Sequence, residues 1–132
     1  MRKHALPAVL LATSLLFASA LGCKKGPVAL VKKEQKIHQG FGKVIARHEG
    51  DCTAQRDAAL KYWKKNGPRL REVHEKLGML DDEDIRKIDE YLSGMSAEDY
   101  DKANAGIEAY ARFVEECPLE ADEVQDYMKS FL

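Results

Sequence analysis

Cysteine is scarce in this chain of 132 residues, and the positions of its three cysteines (Cys23, Cys52 and Cys117) exclude several kinds of site. No two of them are close enough in the sequence to form a Cys-x-x-Cys motif. A c-type haem attachment site, a thioredoxin-like active site and a zinc site of paired cysteines all need such close spacing. The sequence therefore argues against all three.

Motifs of common enzyme active sites are also missing. The chain has no glycine-rich phosphate loop and no Gly-x-Ser-x-Gly motif. Two acidic clusters, at 81–84 and 98–101, lack the alternating acids and the central glycine of a calcium-binding EF-hand loop. We therefore expect that the protein is not an enzyme, and the sequence predicts no cofactor.

The first 23 residues have the pattern of an export signal. Arg2 and Lys3 precede an apolar stretch over 5–20, and Leu21-Gly22-Cys23 follow. A basic start, an apolar segment and a small residue near the cleavage site are typical of secretory signal peptides. With its cysteine directly after glycine, the segment resembles the lipobox signal of bacterial lipoproteins, although Ala20 stands where that family prefers leucine.

The resemblance implies that residues 1–22 are removed and that the thiol of Cys23 receives a diacylglycerol anchor. The new amino terminus would also be acylated, with a fatty acid such as palmitate. Lys24, rather than aspartate, follows Cys23, so the family's sorting rule favours the periplasmic face of the outer membrane in a Gram-negative host. The alternative is an ordinary secreted protein whose mature chain begins at Cys23.

The chain after residue 22 carries charges of opposite sign in its two halves. Residues 23–76 have a net charge of +8 and residues 77–132 have a net charge of −11, with histidine taken as neutral. In a helical bundle these halves can lie side by side and neutralise each other, or they can present a face to a charged partner. Export makes nucleic acid an unsuitable partner.

Apolar residues recur at steps of three and four after residue 33, which predicts helices and no strands. Helices are predicted over 34–65, 68–77, 81–93, 96–117 and 120–131. The glycines of the first helix weaken it, and a kink near Gly50 or a start after Gly42 is the alternative for this segment. Asn66-Gly67-Pro68 is expected to end the first of them, and the lysine-rich residues 23–33 are interpreted as a tether. The predicted fold of residues 34–132 is all-α, a small bundle of four helices plus a short connecting helix.

Lipidation of Cys23 would leave Cys52 and Cys117 as a pair. Both lie on the apolar stripes of their predicted helices, and exported proteins fold in compartments where disulfides form. We predict a buried Cys52–Cys117 disulfide that joins the first helix to the fourth. The alternative is a pair of free thiols in a metal or redox site.

His48 is the histidine that the sequence places nearest the core. It precedes Cys52 by four residues, so both side chains are expected on one face of a helix. We interpret His48 as a buried, hydrogen-bonded core residue and only as a weak candidate for a metal ligand. With Met95 or Met128 it could also bind a b-type haem. His38 and His74 are expected on exposed, charged faces.

These features predict an envelope lipoprotein whose helical bundle is a membrane-anchored interaction or structural module with an envelope protein partner. The alternative is a periplasmic bundle that binds a small ligand, a metal ion or b-type haem in a cavity between its helices.

Replacement of Cys23 by serine tests the anchor. Cys23→Ser removes the thiol that would accept the diacylglycerol, so the protein should leave the membrane fraction or remain unprocessed. Fractionation of cells followed by mass spectrometry of the amino terminus measures both results. A variant that is cut, carries no lipid and still partitions with membranes would contradict the lipoprotein interpretation.

Overall fold

A computed structural model describes residues 26–132, so Cys23 and the signal segment lie outside the described residues. The described residues form five α-helices and no strand, which confirms the predicted all-α fold. The helices are α1 (Pro27–Arg47), α2 (Cys52–Leu77), α3 (Asp82–Ser93), α4 (Ala97–Glu116) and α5 (Pro118–Lys129). None of these five helices combines the length and the apolar character needed to cross a membrane.

The first two helices have different limits from those predicted. Helix α1 begins at Pro27, so residues 27–33 are helical although the sequence indicated a tether. Proline suits this position because its fixed φ is helical and its missing N–H has no partner in a first turn. The predicted helix over 34–65 is two helices, since Gly50 takes a φ of +90° and Asp51 caps α2 by accepting a hydrogen bond from the Ala54 N–H at 3.0 Å.

Asn66-Gly67-Pro68 does not end a helix, contrary to the prediction, because α2 continues through it to Leu77. Proline removes one backbone hydrogen bond from a helix interior and usually kinks it. Here the helix is held by packing on both sides, since Trp63 and Leu70 are fully buried. Burial of these side chains in one core favours a continuous helix over the break that local propensity predicts.

The core is built by four of the five helices. Its largest fully buried side chains are Ile45, Trp63, Leu70, Val73, Phe113 and Val124. The Trp63 ring lies near its centre, with ring centroids 4.8 Å from Phe41 and 5.6 Å from Phe131. Helix α3 contributes no buried residue and packs on α1, partly through Tyr91. It is therefore a peripheral helix.

Helices α1 and α4 cross at two glycines. A Cβ atom added to Gly42 would lie 2.1 Å from the Cα of Gly106, and one added to Gly106 would lie 2.8 Å from the backbone oxygen of His38. Side-chain atoms cannot approach backbone atoms so closely, so only glycine permits this separation of the two helices. Gly42, which weakens an isolated helix, is required here for packing between helices.

The predicted Cys52–Cys117 disulfide is present, with the two Cα atoms 5.5 Å apart. Its position in the helices differs from the prediction. Cys52 is the first residue of α2 rather than the interior of a long helix, and Cys117 lies between α4 and α5. The bond therefore joins the α1–α2 corner to the α4–α5 corner.

The oppositely charged halves meet at a few places along the bundle. Arg56 of α2 lies 3.4 Å from Glu123 of α5. The guanidinium of Arg71 donates hydrogen bonds to the backbone oxygens of Phe131 and Ser130, at 2.9 and 3.0 Å, and holds the end of the chain on α2. Solvent screens exposed ion pairs and makes each of them weak, so apolar packing and the disulfide contribute more to the stability of the fold.

Alanine at position 106 should destabilise the bundle. The new methyl group would meet the backbone of His38, and overpacking of this kind costs about 1–3 kcal/mol. That cost exceeds the roughly 0.5–1 kcal/mol that alanine gains over glycine inside a helix. Gly78→Ala is the matched control, since its Cβ would have no neighbour closer than 3.5 Å. Urea unfolding should give a lower midpoint for Gly106→Ala alone, and equal midpoints for the two variants would contradict the close crossing.

Loss of the disulfide should lower the free energy of unfolding more than Gly106→Ala does. Cys52→Ser combined with Cys117→Ser opens a link between residues that are 65 positions apart. Removal of such a bond from a small domain typically lowers the free energy of unfolding by about 2–5 kcal/mol. Thermal unfolding of the variant and of the oxidised parent measures this difference, and equal stability in the two would show that the bond contributes nothing.

Candidate functional site

An apolar groove of about 520 Å³ lies between α1 and α4. Its apolar lining includes Val31, Phe41, Leu92, Ile107, Tyr110 and Met128. Polar groups are fewer and include Glu34, Gln35, His38 and Asn104. An apolar concavity of this volume with a few polar groups has the character of a binding site.

The helical repeat explains why these side chains share one groove. On α1, Val31, Gln35 and His38 are separated by four and three residues, so they project from one face. On α4, Ala103 and Ile107 repeat in the same way. Helix α3 supplies Leu92 at the edge, where the side chain stays 43% exposed, and Ile107 is 61% exposed. The groove therefore offers apolar surface that the bundle itself does not cover.

Three metal-ligating side chains meet at one edge of this groove. Glu34 and His38 are one turn apart on α1, and His74 comes from α2. His74 Nε2 lies 2.7 Å from Glu34 Oε2, and one ligating atom from each of the three residues lies within 4.8 Å of the other two. We call Glu34, His38 and His74 the groove-edge triad.

Neighbouring groups shield part of the His38 imidazole from water, which lowers its pKa below the ordinary value although the residue keeps exposed surface. The carboxylate of Glu34 opposes this effect by raising the pKa, and His74 adds a smaller lowering effect. The Trp63 ring is one of the neighbours, with its centroid 6.1 Å from that of the imidazole. A lowered pKa favours the neutral imidazole of His38 at pH 7, which is the form that can accept a proton or bind a cation.

The second cluster of possible metal ligands in the described residues consists of Cys52, Cys117 and Glu120. Both sulfur atoms belong to the disulfide, so neither is available as a thiolate. Free thiols were the alternative that the sequence left open for this pair, and the bonded pair excludes a thiolate site there. Of the two clusters, only the groove-edge triad has no ligating atom that is used in a disulfide bond.

The prediction that His48 is a buried core residue is wrong. Helix α1 ends at Arg47, so His48 leaves the inward stripe and is exposed. The helix also stops before Cys52, which removes the one-turn relation between these two side chains.

Met128 lines the groove, whereas Met95 and His48 line two other surface depressions. The structure does not bring the three possible haem ligands together.

Sequence reasoning correctly placed His38 and His74 on exposed positions but missed that they converge. The spacing of Glu34 and His38 was a usable signal, because residues four apart share a helix face. The approach of His74 depends on the antiparallel packing of α1 and α2, which no local pattern reveals.

Comparison of the chain with protein-family models, with curated proteins and with solved structures found no match.

Proposed function

We propose that this protein is a lipid-anchored envelope protein whose helical bundle binds an apolar segment of a protein partner at the membrane surface. The observation that carries the proposal is the groove between α1 and α4, with Ile107 and Leu92 exposed at its mouth. Single exposed apolar side chains are common on protein surfaces. Apolar side chains that line a concave, partly open site favour a binding role.

The place of the groove along the chain supports a partner at the membrane. Helix α1 begins at Pro27, four residues after Cys23, and its second turn already contributes Val31 to the groove. Four residues reach at most about 14 Å when fully extended. A lipid on Cys23 would therefore keep the groove close to the membrane surface, where Lys32 and Lys33 of α1 favour anionic headgroups.

A small apolar ligand is the second candidate, and the volume of the groove favours it. About 520 Å³ lies within the range of roughly 300–1,000 Å³ that is typical of pockets for small molecules. In that case the protein would carry or sense a compound rather than dock on another protein. Mass spectrometry of small molecules extracted from the purified protein distinguishes this candidate from the first.

Photocrosslinking inside cells tests the protein-partner proposal. A photoreactive amino acid at Asn104, which lines the groove, should give one discrete protein adduct. Ile107→Asp should reduce its yield about tenfold or more, because binding would bury a charge against an apolar segment, and tenfold corresponds to about 1.4 kcal/mol. Since Ile107 is 61% exposed, this variant should fold normally.

Leu119→Asp is the matched control, because Leu119 is also a large, exposed apolar residue (74%) but does not line the groove. Its adduct yield should equal that of the parent. An adduct that forms equally well in Ile107→Asp, or the absence of any adduct at position 104, would contradict the proposal. A small molecule that copurifies and is lost in Ile107→Asp would favour the second candidate instead.

A further inference from the structure

We infer that the groove-edge triad (Glu34, His38 and His74) binds a divalent transition-metal ion of the zinc class, with a free coordination position that opens into the groove. This inference concerns a different ligand from the proposed function and does not depend on a protein partner.

The geometry of the triad requires little rearrangement to surround an ion. One ligating atom from each residue lies within 4.8 Å of the others, and the Glu34 and His74 atoms are already 2.7 Å apart. Zinc binds nitrogen and oxygen ligands at about 2.0–2.2 Å, which places neighbouring ligand atoms roughly 3–3.5 Å from one another. Glu34 and His74 are hydrogen-bonded at less than this spacing, so their two atoms would have to move slightly apart around an ion, while His38 would have to move closer. All three side chains are partly or fully exposed, so rotation about their side-chain bonds permits both adjustments.

The ligand types select the class of metal. Two imidazoles and one carboxylate suit zinc and its neighbours among the divalent transition metals, whereas calcium and magnesium prefer sites made only of oxygen. Two helices supply the ligands, two residues from α1 and one from α2. An ion here would therefore join these helices at the end of the bundle that lies away from the disulfide.

The position of the site beside the groove would allow a bound ion to contact a ligand as well as to link the two helices. Three protein ligands leave one position of a tetrahedral zinc ion free, as in open metal sites. Glu34 and His38 line the groove and His74 does not, so an ion bound by the triad would lie at the edge of the apolar cavity, where a ligand in the groove can reach its free position. A ligand that combines an apolar body with a metal-binding head group would fit both features at once.

Metal titration of the full-length protein, purified in detergent without a histidine tag and stripped with a chelator, tests the inference. Calorimetry with Zn²⁺ should show one equivalent bound, and Co²⁺ should give the visible absorption of a site with nitrogen and oxygen ligands. His38→Ala and His74→Ala should each weaken Zn²⁺ binding by at least about 100-fold, because loss of only an outer partner of a ligand already costs 10–100-fold. Zn²⁺ should raise the unfolding temperature of the parent but not of these variants.

His48→Ala is the matched control, since it removes an exposed histidine that lies outside the triad. It should bind Zn²⁺ as the parent does. Unfolding of each metal-free variant establishes that it is folded, and the two histidines lie on different helices, so one defective variant does not prevent the test. Absence of stoichiometric binding by the parent would overturn the inference. Unchanged affinity in His38→Ala and His74→Ala, or an equal loss in His48→Ala, would also overturn it.

Discussion

The close approach of α1 and α4 at Gly42 and Gly106 is the constraint on which the rest of the structure depends. Backbone meets backbone at this point, so even one methyl group on either glycine would force the helices apart. The approach brings Phe41 of α1 and Tyr110 of α4 to a ring separation of 5.3 Å. Both rings line the groove, so the crossing that closes the core also sets the spacing of the groove walls.

The two ends of α1 have different surroundings. Near its carboxyl end the disulfide holds the α1–α2 corner to the α4–α5 corner, and Ile45 is fully buried. Towards its amino end lie the groove and the groove-edge triad, where α3 packs loosely and buries none of its side chains. The domain thus combines a closed, covalently linked end that keeps the core intact with a second end that is partly open. Sites on rigid elements hold their geometry better than sites on loops, and here the triad is carried by two long helices.

Much of the fold could be predicted from local patterns, and the error at Asn66-Gly67-Pro68 has a tertiary cause. Periodic apolar residues indicated helices, and the apolar positions of Cys52 and Cys117 indicated their bond. Helix α1 ends at Arg47 and the chain turns at Gly50, whereas Gly67 and Pro68 lie inside α2, because the core around Trp63 and Leu70 holds that helix together. Local propensity differs between such positions by only a few kcal/mol, so tertiary burial decides which breaks occur.

The sequence by itself predicted the helical class and the Cys52–Cys117 bond, because the apolar repeat indicates helices and two cysteines at apolar positions in an exported chain favour a disulfide. Tertiary structure alone decided the candidate site. The sequence predicts that His48 faces the core, but it is exposed. It places His38 and His74 on exposed faces, which is correct, but gives no sign that both converge on Glu34. Residues 36 positions apart meet only when α1 and α2 pack antiparallel, and that packing depends on the turn at Gly50 and the buried face of both helices.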